Sequence, residues 1–243
     1  ARFETLTSRN GLAGNYITDL EMDRRGNIWV ASQDGLNKIS PATISAWPLP
    51  DNFVRDIAFS KSDQVLWVLT SRSIYTVSEG ITAPFTKFAD PSRLNGLAVC
   101  EANGMAFFTA DAVYLHKNGQ LLKYPSPEPV NFVKELDRRL FVGCQGGLYQ
   151  LNPFGEFKKY SGLPATIQDV TDILFDVQKN LWIASKSGIF YKNLQTGTAT
   201  VFTTASGLIY DNVHKLLLDR ENNIFIGTTF GLSQLSKHLF RMY

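Results

Sequence analysis

Polar residues recur at one place in this sequence, just inside the start of successive apolar stretches: Thr18-Asp19, Arg55-Asp56, Asn95, Thr171-Asp172 and His214-Lys215. Carboxylate, guanidinium, amide, imidazole and ammonium groups brought to one mouth would form a polar funnel suited to a hydroxyl-rich ligand. Aromatic residues stand nearby, at Tyr16, Trp47, Phe53 and Tyr210. Their flat faces suit the apolar faces of sugar rings, with edge polar groups supplied by Arg55 or the aspartates. The candidate ligand contacts are therefore Tyr16, Asp19, Trp47, Arg55, Asp56, Asn95, Asp172, Tyr210, His214 and Lys215. A plainer use competes for each of them. Buried polar atoms must be hydrogen-bonded, so the hydroxyls and carboxylates are expected to tie neighbouring structural units together. Aromatic burial is usually packing, and Trp47, which precedes Pro48, is expected to pack within its own unit.

Other chemistry is poorly supported. Asp19, Asp56 and Asp172 are oxygen ligands of the kind calcium uses, but they fall in different repeats and no loop has calcium-binding spacing. His116, His214 and His238 occupy unlike positions, with no HExxH or paired pattern for zinc. No nucleophile elbow, Ser-His-Asp arrangement, phosphate-binding glycine loop or CxxC is present, so neither a cofactor nor a catalytic residue is assigned. Cys100 and Cys144 cannot make a disulfide framework. With 24 Lys and Arg against 22 Asp and Glu, the net charge of +2 gives no field that implies nucleic acid or an anionic membrane surface. Direct membrane contact is not expected either, because no apolar run approaches the roughly 20 residues of a spanning helix.

The elements that would position these residues come from an internal repeat. Asn27-Ile28-Trp29-Val30-Ala31-Ser32 returns as Asn180-Leu181-Trp182-Ile183-Ala184-Ser185 and as Asn223-Ile224-Phe225-Ile226-Gly227-Thr228. In that register the reference positions are Trp29, Trp67, Ala106, Phe141, Trp182 and Phe225, spaced by 38, 39, 35, 41 and 43 residues. Apolar residues flank each one, as in strands buried on both faces. A small side chain follows three residues on (Ser32, Thr70, Thr109, Cys144, Ser185, Thr228), so Cys144 reads as a hydroxyl substitute. Six residues on, Gly35, Ser73, Ala112, Gly147, Gly188 or Gly231 precedes an aliphatic residue, which marks a tight turn into another strand.

Upstream apolar stretches such as Tyr16 to Met22, Phe53 to Phe59, Val170 to Phe175 and Val213 to Leu218 supply a first strand. Aromatic segments between repeats supply a fourth: Ala46 to Leu49, Phe85 to Phe88, Leu121 to Tyr124, Phe157 to Tyr160 and Thr200 to Thr203. Four strands per 40-residue unit without helical periodicity predict an all-β propeller of about six four-stranded blades, residues 1–243 forming one domain. Seven fourth-strand segments serve six units. Phe3 to Leu6 is expected to close the ring beside the strand near Leu232, which removes an exposed sheet edge. Leu239 to Tyr243 would then lead elsewhere, and the natural protein would continue beyond Tyr243. In a propeller, the loops before each first strand and the turns between second and third strands share one rim, where ligands usually sit.

Phe3, Gly11-Leu12, Ile17, Leu20, Asp23, Gly26, Ile28-Trp29 and Gly35-Leu36 resemble the two-component regulator propeller repeat, with its dGL segment, D-x-x-G turn, lW-i-g/a-T/S strand and GL pair. Gly207-Leu208, Val213, Asp219 and Gly231-Leu232 repeat the pattern, as do Gly162-Leu163, Asp176 and Trp182. The second to fourth units depart from it, with Lys61-Ser62-Asp63 in place of the D-x-x-G turn and Ala106 in place of Trp. The resemblance implies the periplasmic sensor portion of a bacterial hybrid histidine kinase, a fragment of a longer receptor with adjoining domains and a homodimeric arrangement, responding to an oligosaccharide. Any kinase activity would lie outside this segment. Two other functions fit a propeller: a stand-alone lyase or lactonase with a metal or histidine site at the channel mouth, and a protein-interaction scaffold.

Overall fold

The D-x-x-G turn fixes the first hairpin by its own side chains. Asp23 Oδ1 accepts the amides of Arg25 and Asn27, while Oδ2 accepts Asn27 Nδ2 at 2.8 Å and Trp29 Nε1 at 3.4 Å. Asp176 repeats the set with Gln178, Asn180 and Trp182, whose Nε1 lies 3.0 Å from Oδ2. The recurring Asp, Asn and Trp are therefore one network that joins a turn to the buried indole of the next strand. Burial opposes ionisation of Asp23, but the Asn27, Arg25 and Trp29 donors outweigh it and hold the carboxyl below its ordinary range. Where the motif is lost, other devices serve. The fourth unit's two-residue turn places both Asp137 and Arg138 at positive φ, as a type I′ hairpin requires.

The computed structural model describes residues 6–236 and 239–242 apart from 103, 153 and 219–221. It contains six four-stranded antiparallel sheets, each formed by consecutive strands. These are the six blades of a β-propeller. Among the described residues no helix is long and apolar enough to cross a membrane.

The first compact unit comprises residues 1–109 and 114–122. Blade one is β1 (Ile17–Met22), β2 (Ile28–Ser32), β3 (Gly35–Ile39) and β4 (Ile44–Trp47). Blade two is β5 (Val54–Ser60), β6 (Val65–Thr70), β7 (Ile74–Ser78) and β8 (Ile81–Pro84), and blade three begins with β9 (Gly96–Cys100) and β10 (Gly104–Phe108). Trp29, Ala31 and Leu36 of blade one pack with Val54, Ile57 and Leu66 of blade two in one buried cluster. The second unit comprises residues 110–113 and 123–243. The strands that complete blade three are β11 (Ala112–Lys117) and β12 (Gln120–Pro125), of which residues 114–122 belong to the first unit. Blade four is β13 (Val130–Leu136), β14 (Arg139–Cys144), β15 (Gly147–Leu151) and β16 (Phe157–Lys159). Blade five is β17 (Val170–Phe175), β18 (Leu181–Ser185), β19 (Gly188–Lys192) and β20 (Ala199–Phe202), and blade six is β21 (Val213–Leu218), β22 (Ile224–Thr228), β23 (Gly231–Ser236) and β24 (Leu239–Met242).

Two expectations about fourth strands are corrected. The fourth strand of blade six is Leu239–Met242, paired with β23 from Ser233↔Met242 to Ser236↔Leu239, so the expected N-terminal closing strand does not take that place. Of Phe3 to Leu6, only Leu6 lies within the described residues, and it is outside any strand. In blade two the strand is Ile81–Pro84, because the tight Glu79-Gly80 turn starts it early. Phe85 and Phe88 beyond it are core plugs instead, against Trp67, Phe107 and Tyr114.

The small residue after each reference position is a turn lock. Ser32, Thr70, Ser185 and Thr228 donate their hydroxyls to the carbonyls of Gly35, Ser73, Gly188 and Gly231. Gly188 is required there, since φ is +118° and an added Cβ would meet the Phe202 carbonyl oxygen at 2.5 Å. Cys144 occupies the same position and meets Ser126 Oγ at 3.8 Å. Burial pushes its thiol up to about 11.

On the leading face of blade one Leu20 is 59% exposed, whereas its counterpart Ile57 in blade two is 2% exposed. On the trailing face of blade six Leu232 is 38% exposed, against 0% for Ile189 in blade five.

Candidate functional site

The rim is built by one repeated backbone bond. In five of the six blades the first residue after the second strand donates its amide to the residue before the first strand: Gln33 to Tyr16, Ser71 to Phe53, Gln145 to Pro129, Lys186 to Asp169 and Thr229 to Asn212. Each of these five blades thus presents its leading loop and its second turn at the same end. Just below, a β-bulge interrupts the first pairing at Ile17/Asp19, Val54/Asp56, Val130/Phe132, Val170/Asp172 and Val213/Lys215. The extra residue is Thr18, Arg55, Asn131, Thr171 or His214, which re-aims its side chain out of the ladder.

Most of the polar candidates are used between blades. Thr18 Oγ1 donates to the Val54 carbonyl, and Thr171 Oγ1 to that of Val213. Asp19 Oδ2 accepts the Ile57 amide at 3.1 Å, Asp56 Oδ2 accepts Leu97 at 2.8 Å, and Asp172 Oδ2 accepts Leu216 at 3.0 Å. The second Asp172 oxygen takes Lys134 Nζ at 2.8 Å and the Ile173 amide. Arg55 Nη1 reaches the Ser92 carbonyl at 3.2 Å. The backbone N–H of Asn95 donates to the Phe108 carbonyl at 2.7 Å within blade three. Asn131 Nδ2 donates to the Val170 carbonyl as Thr18 and Thr171 do. Sequence reasoning missed it, because the blade-four bulge carries Asn-Phe where blades one and five carry Thr-Asp.

Two aromatic candidates part company. Trp47 is half-buried, with its ring 5.0 Å from that of Trp29 at 68° and its Nε1 bonded to Thr82 Oγ1, so it packs between blades one and two. Tyr16 is exposed, and its carbonyl accepts the Gln33 amide at 3.2 Å.

Tyr210, His214 and Lys215 are gathered on blade six. Tyr210 meets Phe230 edge-to-face, with centroids 4.7 Å apart at 81°. The pair is exposed, at 39% and 69% respectively. Beside Phe230, Thr229 Oγ1 lies 2.9 Å from His214 Nε2. Asn212, whose carbonyl receives the Thr229 amide, has a buried Oδ1 with no hydrogen-bond partner among the described residues. An orphaned buried acceptor in a native fold calls for an explanation such as a water or a ligand donor. Lys215 follows, exposed. Phe230 was not among the sequence candidates; its signal was an aromatic residue in a turn that elsewhere holds small or polar side chains. Of the other histidines, His116 packs against Phe85 and Trp67, with burial and then Lys87 holding its pKa below the ordinary value, and His238 lies outside the described residues.

Residues 11–34, spanning the first D-x-x-G hairpin, match the family model described as two component regulator propeller. The fold is similar to the extracellular domain of a hybrid two component system from B. thetaiotaomicron, at 18% identity and TM-score 0.77, over 96% of this chain and 35% of that one. It is also similar to the extracellular domain of a one component system from the same organism, at 15% identity and TM-score 0.76, over 93% of this chain and 33% of that one. The chain spans about a third of the length of these domains. A catalytically inactive virginiamycin B lyase from Staphylococcus aureus is similar at 14% identity and TM-score 0.76, over 94% of this chain and 84% of the lyase. No curated protein matches the chain.

Proposed function

We propose that this chain is an extracytoplasmic sensor module of a bacterial two-component signalling receptor, that it binds rather than transforms its ligand, and that the ligand is a carbohydrate met by the rim of blade six. The family match of the first hairpin and the likeness to extracellular domains support the sensor class. One observation carries the ligand half: the exposed Tyr210–Phe230 pair beside the unpartnered Asn212 Oδ1 and the His214–Thr229 contact. An aromatic platform with a few convergent polar groups is the usual chemistry of a sugar site. In this reading Asp19, Asp56 and Asp172 hold the blades that present the rim, and adjoining receptor domains carry the signal onward.

The experiment is a transcriptional response in the native host, with the full-length receptor carrying Tyr210→Ala and Phe230→Ala. The expected result is loss of response to the inducing glycan with receptor abundance unchanged. A response that persists at the same glycan concentration overturns the proposal.

The lyase likeness, which covers most of the lyase chain, favours a second reading as an enzyme. His214 is the described histidine at the rim, and among the described residues no group of three His, Cys, Asp or Glu could hold a metal ion. Turnover of a cyclic ester or polysaccharide substrate that is abolished by His214→Ala would support that reading.

A further inference from the structure

At the end of the strands opposite the rim, a cleft of about 660 Å³ opens between the first two blades. Its walls come from the β1–β2 turn (Asp23, Arg24, Arg25), the end of β3 (Lys38) and the turns of blade two (Gln64, Glu79). Its floor is Trp29, Leu66 and Val77, buried, with Trp47 and Phe59 half-buried in the same cluster. Lys38 Nζ stands 5.2 Å above the Trp29 ring, which presents a cation beside an aromatic surface. The Asp23 carboxylate is consumed by its own hairpin, with four donors on its two oxygens. The ion pairs among the described residues involve Lys134, Lys159, Lys179 and Lys186, none of them at this cleft. Arg24, Arg25 and Lys38 therefore face a cavity of ligand size as three cations against the two carboxylates of Asp23 and Glu79.

We propose that this cleft is a second binding site, for a saccharide bearing a carboxylate or sulfate group, with the anion held by Arg24 and Arg25 and the sugar body against the aromatic floor. The planar guanidinium fork matches both anions, and the volume lies within the roughly 300–1,000 Å³ of small-ligand sites. This site is separate from the rim of blade six and does not rest on the reading of it.

The chain has four tryptophans, Trp29, Trp47, Trp67 and Trp182, so its indole N–H resonances report the cleft directly. The ¹⁵N-labelled chain is titrated with a glucuronate-containing disaccharide, a sulfated disaccharide, a neutral disaccharide and inorganic sulfate. The expected result is a saturable shift of the Trp29 and Trp47 indoles with at least one acidic sugar, while Trp182 stays still. Affinity should fall about tenfold or more in Arg24→Ala/Arg25→Ala and in Lys38→Gln, and stay unchanged in Tyr210→Ala/Phe230→Ala. The proposal is overturned by stationary Trp29 and Trp47 indoles with both acidic sugars, by equal binding of the neutral sugar or of sulfate alone, or by affinity that survives the arginine and lysine substitutions.

Discussion

The buried carboxylate of Asp172 on blade five accepts the backbone amide of Leu216 on blade six at 3.0 Å. Its other oxygen holds Lys134 of blade four at 2.8 Å, so one side chain ties three successive blades. Asp172→Ala would leave the Leu216 amide without its partner and Lys134 without its counter-charge. Urea denaturation of that variant is expected to show a loss of about 2–4 kcal/mol. A stability within about 0.5 kcal/mol of the parent, the range of ordinary surface changes, would remove the inter-blade role.

Exposure of Leu20 makes a sharper comparison, because Leu20 and Ile57 are the same residue of the repeat in different surroundings. Leu20→Ala should cost under about 0.5 kcal/mol, whereas Ile57→Ala should cost about 2–5 kcal/mol. Thermal or urea unfolding of the two variants checks this, and equal costs would show that the Leu20 face is covered in solution.

The repeat was legible because buried strands impose a period that turns must punctuate. Ile28-Trp29-Val30 and its echoes fixed six blades, and Gly35-Leu36 fixed the third strands. What was not legible depends on local competition between segments. Phe85 and Phe88 carry the composition of a strand, yet the Glu79-Gly80 turn commits Ile81–Pro84 first, and the aromatics fill core space. Similarly, Thr18 and Asp19 read equally well as funnel or as tie, since only coordinates reveal that Val54 and Ile57 supply the partners. The rim cluster was half visible: Tyr210 and His214 were candidates, whereas Phe230 needed the turn geometry to bring it against Tyr210.

Both thiols should be silent in the native chain. Cys100 and Cys144 are buried, and burial holds the Cys144 thiol at about 11, leaving little thiolate at pH 8. Labelling with iodoacetamide at that pH should modify neither cysteine in buffer and both in denaturant. Prompt modification of Cys144 in buffer would contradict its burial.

Glu128 supplies a pH signature. Tyr149 donates to Oε1 at 2.7 Å and the Gly146 amide to Oε2 at 2.6 Å, with Lys159 at 3.5 Å. The Tyr149 hydroxyl, together with the amide and the lysine, outweighs burial and holds the carboxyl below its ordinary 4.5. A lowered carboxylate contributes stability above its unfolded pKa and loses it as pH falls through the folded value. Glu128→Gln should therefore be destabilised by about 1–2 kcal/mol at pH 7, with the gap to the parent closing below pH 4.5. A gap that stays constant across that range would mean that the charge of Glu128 contributes nothing.

The most direct test of the account is calorimetric titration of the purified 243-residue chain against a panel of neutral oligosaccharides, alongside Tyr210→Ala and Phe230→Ala. The account predicts saturable binding of at least one sugar and a drop of about tenfold in affinity in each variant, since loss of an aromatic contact costs on the order of 1 kcal/mol or more. Binding that is indifferent to both substitutions, or a flat response to every sugar from chain and intact receptor alike, would contradict carbohydrate recognition at the blade-six rim.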